Sequence, residues 1–303
     1  MASKTTALVD GDIVVYRSAF AAEHTYYCIY EAPEDRDSPI PGPFITRCDS
    51  AKEAKEYVAE HGLKDYVIAT EREVEPVENV LYSIKHTLNR IRKELKAKDM
   101  RIFLSQGECF RHKRATIAEY KGNRTAPKPV HYQAARDYLV DVHGAEVYTT
   151  IEADDALALY QTKDTVICSI DKDLLQVEGK HYNWVREEKT LVKPRAALCR
   201  LYEQVLTGDA TDNIPGINRM GPKTAKKLIA DCAGKMEMEK LCIDEWAKAL
   251  AKKDGTGVKK FELRDPSKVT PQDAMKEVLM LVKVGGPIAE EALDDGKAEP
   301  AVS

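Results

Sequence analysis

The sequence predicts an α/β fold in which a parallel β-sheet is flanked by helices, and three observations lead to this prediction. Short apolar runs of strand length recur between residues 7 and 170. Segments with apolar residues at helical spacing separate these runs, and strands that alternate with helices are typical of a parallel sheet. From Pro194 onward the pattern becomes mainly helical, which places a domain boundary near residue 190.

The predicted strands are short and apolar, as expected for strands that are buried on both faces of a sheet. The first strand covers residues 7–9 and ends in Asp10-Gly11-Asp12, which predicts a functional turn at the end of the strand. Further strands are predicted at residues 100–104, 145–148 and 165–170.

The predicted helices are recognised by apolar residues three or four positions apart. The pattern is clearest in residues 76–97, where Val80, Ile84 and Leu88 share a face and the last turn is basic, as suits a helix C-terminus. The other helices are predicted at residues 14–22, 153–161, 194–206, 222–232, 236–252 and 271–283.

Two segments are predicted to lack regular structure. Residues 31–44 contain four prolines, which remove backbone donors and fix φ, so this stretch is predicted to be a loop or an insertion. Residues 286–303 end in an acidic stretch rich in small residues, which predicts a disordered tail.

The composition excludes several classes of protein. A hydrophobic content of 43% fits a soluble globular enzyme rather than a disordered chain. No apolar run approaches the ~20 residues that a membrane helix needs, and the N-terminus lacks the features of a secretory signal. The seven cysteines contain no Cys-x-x-Cys pair, so neither a disulfide framework nor a zinc site is predicted, and the cytoplasm is the expected location. The net charge of −4 gives no global indication of nucleic-acid binding, which depends on the local distribution of charge.

Acidic side chains cluster at the ends of predicted strands or at the starts of the helices that follow. The carboxyl ends of parallel strands meet at one edge of a sheet, where ligands normally bind. Carboxylates packed there repel one another unless cations neutralise them, and oxygen ligands favour Mg²⁺ or Mn²⁺ over zinc. Two such ions about 4 Å apart can activate a water and stabilise the leaving oxygen of a phosphodiester. The acidic groups are Asp10 and Asp12; Glu152, Asp154 and Asp155; Asp171 and Asp173; Asp209 and Asp212.

Each acidic group also has an ordinary structural explanation. Asp154 and Asp155 could complement the dipole in the first turn of a helix. Asp171-Lys172-Asp173 could be a solvated turn, and Asp209 could cap a local structure. These explanations would have to hold independently at four places along the chain, so the combination favours a metal site.

The segment from Arg111 to Lys128 is basic, with Glu119 as its single acid and Tyr120 among the basic side chains. A cationic segment with an aromatic ring suits single-stranded DNA, because the charges follow the phosphates and the ring stacks on a base. In isolation the segment could be an ordinary solvated face, but a nearby site for a polyanionic substrate favours DNA binding. Its basic residues are Arg111, Lys113, Arg114, Lys121, Arg124 and Lys128.

A glycine-rich stretch from Gly208 to Ala225 contains Asp209 and Asp212 and leads into a helix that begins with a proline. Glycines in this stretch would let the backbone approach a phosphate, which the N–H groups of the helix start can accept. Such glycine spacing is often only a tight turn, but the whole string is more specific. The residues concerned are Gly216 and Gly221, with positive charge added by Lys223, Lys226 and Lys227.

Together these segments resemble the 5′→3′ exonuclease/flap endonuclease family, which includes bacteriophage 5′-exonucleases and the N-terminal 5′-nuclease domain of bacterial DNA polymerase I. The resemblance runs from about residue 8 to residue 230 in the family's order, and no single motif carries it. The matching segments are Leu8-Val9-Asp10-Gly11-Asp12, Glu119-Tyr120-Lys121-Gly122-Asn123-Arg124, Glu152-Ala153-Asp154-Asp155, Ser169-Ile170-Asp171-Lys172-Asp173-Leu174 and residues 208–225.

The resemblance implies a PIN-like nuclease core in residues 1–190, with a helical arch at about 107–135. It also implies a helical DNA-binding region in residues 191–285 that contains a helix–three-turn–helix element. By resemblance, Asp10, Glu152 and Asp154 hold one metal ion, Asp171, Asp173 and Asp209 hold a second, and Asp155 and Asp212 lie at or close to these ions.

The implied function is Mg²⁺-dependent hydrolysis of DNA from a free 5′ end or at a 5′ flap, by a monomer acting in phage DNA replication in the host cytoplasm. Mn²⁺ could substitute, a K⁺ ion is expected at the helix–three-turn–helix, and RNA–DNA hybrids are a further candidate substrate. The resemblance gives Lys121 the role of stabilising charge on the scissile phosphate, together with Arg124, and Asp10 and Asp154 direct roles in catalysis. The implied DNA contacts are Arg111, Lys113, Arg114, Tyr120, Lys121, Arg124, Gly216, Gly221, Lys223, Thr224 and Lys227.

One position departs from the family pattern. The family usually has an aspartate at the end of the strand before the arch, where this chain has Gln106. Loss of this negative charge predicts weaker binding of the first metal ion, with Asp12 or Glu108 as partial compensation.

Two other functions remain open at the level of sequence. Asp10-x-Asp12 after an apolar strand also begins aspartyl-nucleophile phosphatases, in which Asp10 would form a phospho-enzyme and Asp12 would act as acid and base. That reading leaves no role for the basic segment or for the glycine-rich stretch. Alternatively, the chain could be a non-catalytic, structure-specific DNA-binding protein whose acidic site has lost activity, for example through Gln106.

Overall fold

A computed structural model describes residues 5–33, 40–252, 257–259 and 268–297, with side chains described up to Asp294. The strands in this part of the chain are β1 Thr6–Asp10, β2 Glu23–Glu31, β3 Phe44–Cys48, β4 Tyr66–Val74, β5 Asp99–Ser105, β6 Glu146–Tyr148, β7 Thr165–Cys168, β8 Gly179–Asn183 and β9 Glu188–Val192. The helices are α1 Gly11–Ala21, α2 Ala51–Glu60, α3 Val77–Leu95, α4 Phe110–Arg114, α5 Tyr132–His143, α6 Ala153–Leu159, α7 Pro194–Thr207, α8 Pro222–Ala230, α9 Lys235–Leu250, α10 Pro271–Val282 and α11 Pro287–Lys297.

The main sheet has six strands in the order β6-β5-β1-β7-β8-β9. All neighbouring pairs are parallel except β8 and β9, which form an antiparallel hairpin. The predicted α/β class with a mostly parallel sheet is therefore confirmed. The strands β8 and β9 were not predicted, since they are short and carry many polar residues.

The register of the sheet places the acidic strand end at its centre. β1 lies between β5 and β7, with Asp10 opposite Phe103 and Val9 opposite Cys168. The side chains of Leu8, Phe103 and Ile167 belong to a buried core. Because β5, β6 and β7 run parallel to β1, the loops that follow these strands share the edge at which Asp10 lies.

Contacts divide the chain into two compact units. One unit contains residues 1–14, 86–127 and 138–303, and the other contains residues 15–85 and 128–137. The predicted boundary near residue 190 does not separate these units. The reason is that Ile117 and Tyr120, from before this boundary, share one apolar core with Tyr202 and Trp246, from after it.

The smaller unit contains a three-stranded antiparallel sheet in the order β3-β2-β4, which was not predicted. One face of this sheet packs on α2 through Ile29, Cys48, Ala54 and Val58. The predicted loop at residues 31–44 is confirmed for the described residues 32–33 and 40–43, since β2 ends at Glu31 and β3 begins at Phe44. Residues 34–39 of that loop lie outside the described residues.

The predicted helical arch at about 107–135 is also corrected. Within residues 107–135, all of which are described, the helical parts are the five-residue helix α4 and the start of α5 from Tyr132, and the rest is turns and extended chain. Ile117, Ala118 and Tyr120 in its middle are buried, whereas residues 122–128 are exposed. The segment is therefore mostly non-helical, unlike the helical arch that the resemblance implied.

The predicted disordered tail at 286–303 is wrong for its first part, which forms α11. Pro287 occupies the start of the helix, where a proline is well tolerated. Ala289 and Ala292, three residues apart, are buried against the core that contains Ile151 and Leu157. Residues 298–303 lie outside the described residues. In the described part of the chain, no helix has the length and apolar character needed to cross a membrane.

Candidate active site

Asp10 occupies the centre of the acidic edge and is almost fully buried. One carboxylate oxygen accepts a hydrogen bond from the Ile13 N–H at 3.0 Å, and the other accepts one from Ser169 Oγ at 2.7 Å. Burial, followed by the charges of Asp12 and Asp171, raises the pKa of Asp10 to about 7. A cation at this position would favour the ionised form and lower this pKa.

The residue after Asp10 must be a glycine for packing reasons. A Cβ atom on Gly11 would lie 2.6 Å from the carbonyl oxygen of Phe103 in β5. This close approach keeps the start of α1 against the sheet. It also lets Asp12 Oδ2 accept a hydrogen bond from the Ser105 N–H at 3.0 Å, which ties the ends of β1 and β5 together.

Gln106 follows β5, and its side chain is exposed. Its backbone N–H donates a hydrogen bond to the carbonyl oxygen of Tyr148 at 2.8 Å. Of the two residues expected to compensate for the missing aspartate, Asp12 already uses one oxygen to hold Ser105. Glu108 is exposed. The weaker first metal site therefore stays a prediction.

Glu152 lies at the N-cap of α6 and is surrounded by donors. Its carboxylate accepts hydrogen bonds from Tyr120 Oη at 2.7 Å and from Arg111 Nη1 at 3.3 Å, and it forms an ion pair with Lys121 Nζ. Burial acts to raise the pKa of Glu152, but the charges of Lys121 and Arg111 outweigh it and lower the pKa to about 2. Glu152 is therefore ionised and neutralised by cations of the chain itself.

Asp154 lies in the first turn of α6 and lacks such a cation at hydrogen-bond distance among the described contacts. Burial, followed by the charges of Asp10 and Asp171, raises its pKa well above the usual range. Asp10, Asp154 and Asp171, which come from β1, α6 and the loop after β7, thus interact electrostatically. This arrangement agrees with the expectation that their strand and helix ends converge.

Asp155 does not join this group. It is fully buried, and its two oxygens accept hydrogen bonds from Arg111 Nη1 at 2.6 Å and Nη2 at 2.7 Å. The N–H of Gly285 donates to the same carboxylate at 2.8 Å. The prediction of Asp155 as a metal ligand is therefore wrong, because its oxygens face a buried arginine. Arg111 is equally buried, so its prediction as a DNA contact is wrong as well.

The second acidic group follows β7. Asp171 Oδ1 accepts a hydrogen bond from the Asp173 N–H at 2.8 Å, and Asp173 pairs with Arg200 Nη2 at 3.0 Å. Burial, followed by the charges of Asp171 and Asp209, raises the pKa of Asp173 to about 6, although Arg200 opposes this shift. Arg200 lies in α7, 27 residues further along the chain, and nothing in the sequence pattern predicted it.

The glycine-rich stretch between α7 and α8 carries Asp209 and Asp212. Asp209 and Ile214 exchange backbone hydrogen bonds at 3.1 and 2.7 Å, which closes a tight loop. Asp212 projects toward the basic segment, where it accepts a hydrogen bond from Tyr120 Oη at 3.1 Å and pairs with Arg124. Lys121 Nζ lies 3.8 Å from the same carboxylate.

The basic segment is docked on this loop through its backbone as well. The Lys121 N–H donates to the carbonyl oxygen of Asp212 at 2.8 Å, and Asn123 Nδ2 donates to Ala210 at 2.8 Å. Lys121 has a φ of 58°, a left-handed conformation that is uncommon for a residue with a side chain. The backbone of Lys121 is thus held in place at the point where its ammonium group meets Glu152.

Tyr120 is only 4% exposed, and both Glu152 and Asp212 accept from its hydroxyl. The expectation that its ring stacks on a base is therefore not met. Arg124 is half exposed, and Lys113 and Arg114 are exposed, with Arg114 at 3.4 Å from Glu291. These three side chains remain candidates for DNA contact.

The two predicted glycines before α8 lie in different environments. Gly221 is the N-cap, and a Cβ atom there would meet open space, whereas Gly216 is buried and its Cβ would lie 2.0 Å from the carbonyl oxygen of Thr207. Gly216 is therefore required for packing, and its predicted role in phosphate contact stays a prediction. Exposed side chains on the first turns of α8 are those of Lys223, Thr224, Lys226 and Lys227.

The carboxylates are chemically suited to a divalent cation but are not assembled around one. Among the described residues, no group of three or more acidic, His or Cys side chains is arranged so that it could hold an ion as it stands. Ser169, Lys121 and Arg200 hold individual carboxylates apart instead. An all-oxygen donor set of mutually repelling carboxylates fits Mg²⁺ or Mn²⁺ once these side chains reorient.

No family model matches the chain, but individual proteins do. It is 31% identical over 177 residues to the thermostable DNA polymerase I of Thermus aquaticus, covering 52% of this chain and 21% of that protein. It is 32% identical over 174 residues to a 5′-3′ exonuclease of Buchnera aphidicola, covering 49% of this chain and 59% of that protein. It is 30% identical over 128 residues to a flap endonuclease of Shewanella baltica, covering 36% of this chain and 48% of that protein. The match thus spans about a fifth of the polymerase and about half of the shorter relatives.

Solved structures agree over nearly the whole chain. A bacteriophage T5 5′-exonuclease matches with a TM-score of 0.52 and 12% identity, covering 96% of this chain and 97% of that one. A T5 flap endonuclease complex with DNA and metal ions matches with a TM-score of 0.53 and 15% identity, over the same shares of the two chains. The chain resembles 5′-nucleases in sequence and shares their fold. The resemblance inferred from the motifs is thereby confirmed.

Several residues of this 5′-nuclease-like site were missed by sequence reasoning. Ser169 lies in a segment that carries the resemblance, but its contact with Asp10 had no signal beyond its place at the end of β7. Arg111 was recognised only as one basic residue among several. Its partners lie 44 residues away in Asp155 and more than 160 residues away in α10 and the turn that follows, so only the folded chain reveals its role.

Proposed function

We propose that this chain is a divalent-metal-dependent 5′-nuclease that hydrolyses DNA phosphodiesters at a free 5′ end or a 5′ flap. The observation that carries the proposal is that Ser169, which follows β7, hydrogen-bonds to Asp10 at the end of β1, while the ammonium group of Lys121 pairs with Glu152 at the start of α6. A basic side chain held at a carboxylate cluster is suited to an anionic substrate whose charge a metal ion also neutralises.

The carboxylates divide into two candidate metal sites. Asp10, Glu152 and Asp154 would hold one Mg²⁺ ion and Asp171, Asp173 and Asp209 a second, with Asp212 nearby and Mn²⁺ as a substitute. When bound, such cations neutralise charge on the phosphate and lower the pKa of a water molecule. Burial and neighbouring carboxylates raise the pKa of Asp10 and of Asp154, and a bound cation would relieve this repulsion.

Lys121 and Arg124 would provide the positive charge of the chain at the scissile phosphate. Both side chains are now paired with carboxylates, Lys121 with Glu152 and Arg124 with Asp212. If Glu152 turns to bind a metal ion, Lys121 loses its partner and can pair with a phosphate oxygen. Burial acts to lower the pKa of Lys121, but Glu152 and Asp212 outweigh it and raise the pKa, so the ammonium form is retained.

The N-terminus of α8 would bind the phosphate backbone of the duplex part of the substrate. Its N–H groups have no side-chain cap, Gly221 leaves open space, and Lys223, Thr224 and Lys227 are exposed beside it. A K⁺ ion in the helix–three-turn–helix would support the same contact. Lys113 and Arg114 would add positive charge at the other end of the basic segment.

The phosphatase alternative is disfavoured by the environment of its required nucleophile. Both oxygens of Asp10 accept hydrogen bonds, and the side chain is 2% exposed, so in-line attack on a phosphate monoester would require it to leave Ser169 and Ile13. Asp12, the expected acid and base, is tied to the Ser105 N–H.

The proposal is tested by cleavage of end-labelled substrates. A 5′-labelled duplex, a 5′-flap DNA and an RNA–DNA hybrid are incubated with Mg²⁺, with Mn²⁺ and with a chelator, and the product lengths are mapped. Metal-dependent release of mononucleotides or of the flap is expected. Cleavage that persists in the chelator, or no cleavage of any substrate with either metal, would count against the proposal.

A further inference from the structure

A cavity of about 420 Å³ adjoins the acidic edge, between the segment after β7 and the β8–β9 hairpin. β8 runs parallel to β7, with Tyr182 opposite Cys168, so the end of β8 lies at the same sheet edge as Asp171. Ser169 and Asp171 line the cavity, and Ser169 is the residue that hydrogen-bonds to Asp10. A molecule in this cavity would therefore lie next to the carboxylates of the candidate active site.

The cavity walls combine apolar surface with a few polar groups. Leu174, Leu175 and Val185 supply apolar contact, while Asn183 and Thr190 add polar side chains. Such a mixture is typical of small-molecule sites, in which apolar walls give contact and a few polar groups fix the orientation.

The formal charges that line the cavity balance. Lys172 and Arg186 are matched by Asp171 and Glu188. His181 also lines the cavity, its Nε2–H donates to the carbonyl oxygen of Val177 at 2.8 Å, and burial lowers its pKa, so it adds no charge at neutral pH. A neutral lining does not select a free phosphate, for which an excess of positive charge would be expected.

A nucleobase fits these properties. It is uncharged, its two faces suit apolar walls, and its edge carries hydrogen-bond donors and acceptors. The volume lies in the range of roughly 300–1,000 Å³ that is usual for small-molecule sites, which allows one nucleotide rather than a run of them. Its sugar-phosphate would then face Asp171 and the neighbouring carboxylates.

We propose that this cavity is a subsite for the base of the 5′-terminal nucleotide of the substrate, and that it also binds the released deoxynucleoside 5′-monophosphate. The inference rests on the proposed function and adds to it the position of one nucleotide relative to the acidic edge. It assigns the hairpin β8–β9, which the motifs leave without a role, to substrate recognition.

The binding test uses dTMP with the full chain in Mg²⁺, measured by calorimetry, with thymidine and inorganic phosphate as separate probes. Thr190→Trp places a large ring in the cavity. Leu191→Trp is the matched control, because Leu191 is the next residue of β9, is 66% exposed and points to the opposite face. Val185→Trp fills the cavity from the hairpin turn and serves as a second variant if Thr190→Trp does not fold.

We expect Thr190→Trp or Val185→Trp to weaken dTMP binding roughly tenfold or more, with Leu191→Trp unchanged. Thymidine should bind measurably and compete with dTMP. Equal dTMP affinity in all folded variants would overturn the proposal, and so would phosphate binding as tightly as dTMP.

A cleavage assay then tests whether the substrate, and not only the released product, occupies the cavity. On DNA with a normal 5′-terminal nucleotide, Thr190→Trp should raise KM, whereas on DNA with an abasic 5′-terminal residue it should match the wild type. A Thr190→Trp effect of the same size on both substrates would show that the terminal base does not occupy the cavity. Because dTMP binding is measured without cleavage, a wild type that binds dTMP but cuts no DNA would refute the nuclease function and the substrate subsite, and would leave only nucleotide binding in the cavity.

Discussion

At the scale of single residues, the ion pair between Arg111 and Asp155 explains why an acidic residue in a metal-binding motif is not a ligand. The guanidinium donates to Asp155, to Glu152 and to the carbonyl oxygens of Leu281 and Lys283. Such full pairing is what a buried charge requires. Arg111 thereby joins the start of the basic segment, the N-terminus of α6 and the turn after α10.

Removing this arginine should be strongly destabilising. Arg111→Met leaves the carboxylate of Asp155 buried without its cation, and breaking a buried pair in this way costs about 3–5 kcal/mol of the free energy of unfolding. Denaturant unfolding measures the loss. Arg101→Met is the matched control, since Arg101 pairs with Glu146 at 2.7 Å but is about a third exposed, and it should cost far less. Equal losses in the two variants would refute the special role of the Arg111 pair.

Lys121 belongs to the same scale but should affect the chemistry more than the fold. Lys121→Met removes the ammonium group that neutralises Glu152, so cleavage should fall by about 100- to 1,000-fold, the range seen when a group that stabilises transition-state charge is lost. Single-turnover cleavage with saturating enzyme measures this fall. Lys98→Met, an exposed lysine before β5, is the control and should retain activity. Activity within a fewfold of wild type in Lys121→Met would contradict the assigned role.

At the scale of elements, the helices and strands that were predicted correctly are those whose apolar pattern along the chain is long and regular. The helices α3, α7, α8, α9 and α10 and the strands β1, β5, β6 and β7 lie close to the predicted ranges, because their apolar periodicity is long or their turns are marked. The sheet β3-β2-β4 was missed because its strands carry polar and charged residues without a clear apolar alternation. α11 was missed because its acidic composition hid two buried alanines.

In the candidate site, too, features that depend on nearby residues could be predicted, whereas contacts between residues far apart along the chain could not. Asp10, Asp154 and Asp171 could be predicted, because the ends of parallel strands converge. The burial of Tyr120 and the pairing of Asp155 could not, since both depend on residues far away along the chain. The packing role of Gly216 could not be read from sequence either, because glycines that approach a phosphate and glycines that pack on backbone have the same spacing.

The two glycines before α8 therefore provide a test at the scale of this element. Gly216→Ala places a Cβ against the backbone of Thr207 and should destabilise the protein by about 1–3 kcal/mol, as overpacking does. Gly221→Ala meets open space and should leave stability unchanged, while weakening duplex binding if this N-terminus contacts phosphate. Thermal unfolding and DNA-binding anisotropy separate these effects. Unchanged stability in Gly216→Ala would show that the packing explanation is wrong.

At the scale of the whole molecule, the acidic edge links stability to pH and to metal. The pKa of Asp10 is raised to about 7 and that of Asp173 to about 6, above the value of 3.8 for an unperturbed aspartate. Between pH 4 and pH 7 the folded protein therefore binds more protons at these groups than the unfolded chain. Their contribution to the free energy of unfolding is present at low pH and is lost as the pH rises through the folded pKa values.

Mg²⁺ should reverse this loss, because the ion binds the ionised carboxylates that protons otherwise neutralise. The rise in Tm on adding Mg²⁺ should be larger at pH 8 than at pH 5.5, and scanning calorimetry at both values measures it. Asp10→Asn should reduce both the pH dependence of the Tm and the Mg²⁺ effect. This variant therefore distinguishes titration at the acidic edge from titration of other groups in the protein. An equal Mg²⁺ shift at the two pH values would be inconsistent with proton and metal competition.

The central claim is that the carboxylate edge carries out metal-dependent cleavage of DNA. The most direct measurement is cleavage of a 5′-flap DNA by Asp171→Asn in Mg²⁺, with binding of the same DNA followed by anisotropy in Ca²⁺. Asp141→Asn, which changes an exposed aspartate of α5, is the matched control. The account predicts that Asp171→Asn binds the DNA but does not cut it, while Asp141→Asn does both. Cleavage by Asp171→Asn at the rate of the control would contradict it.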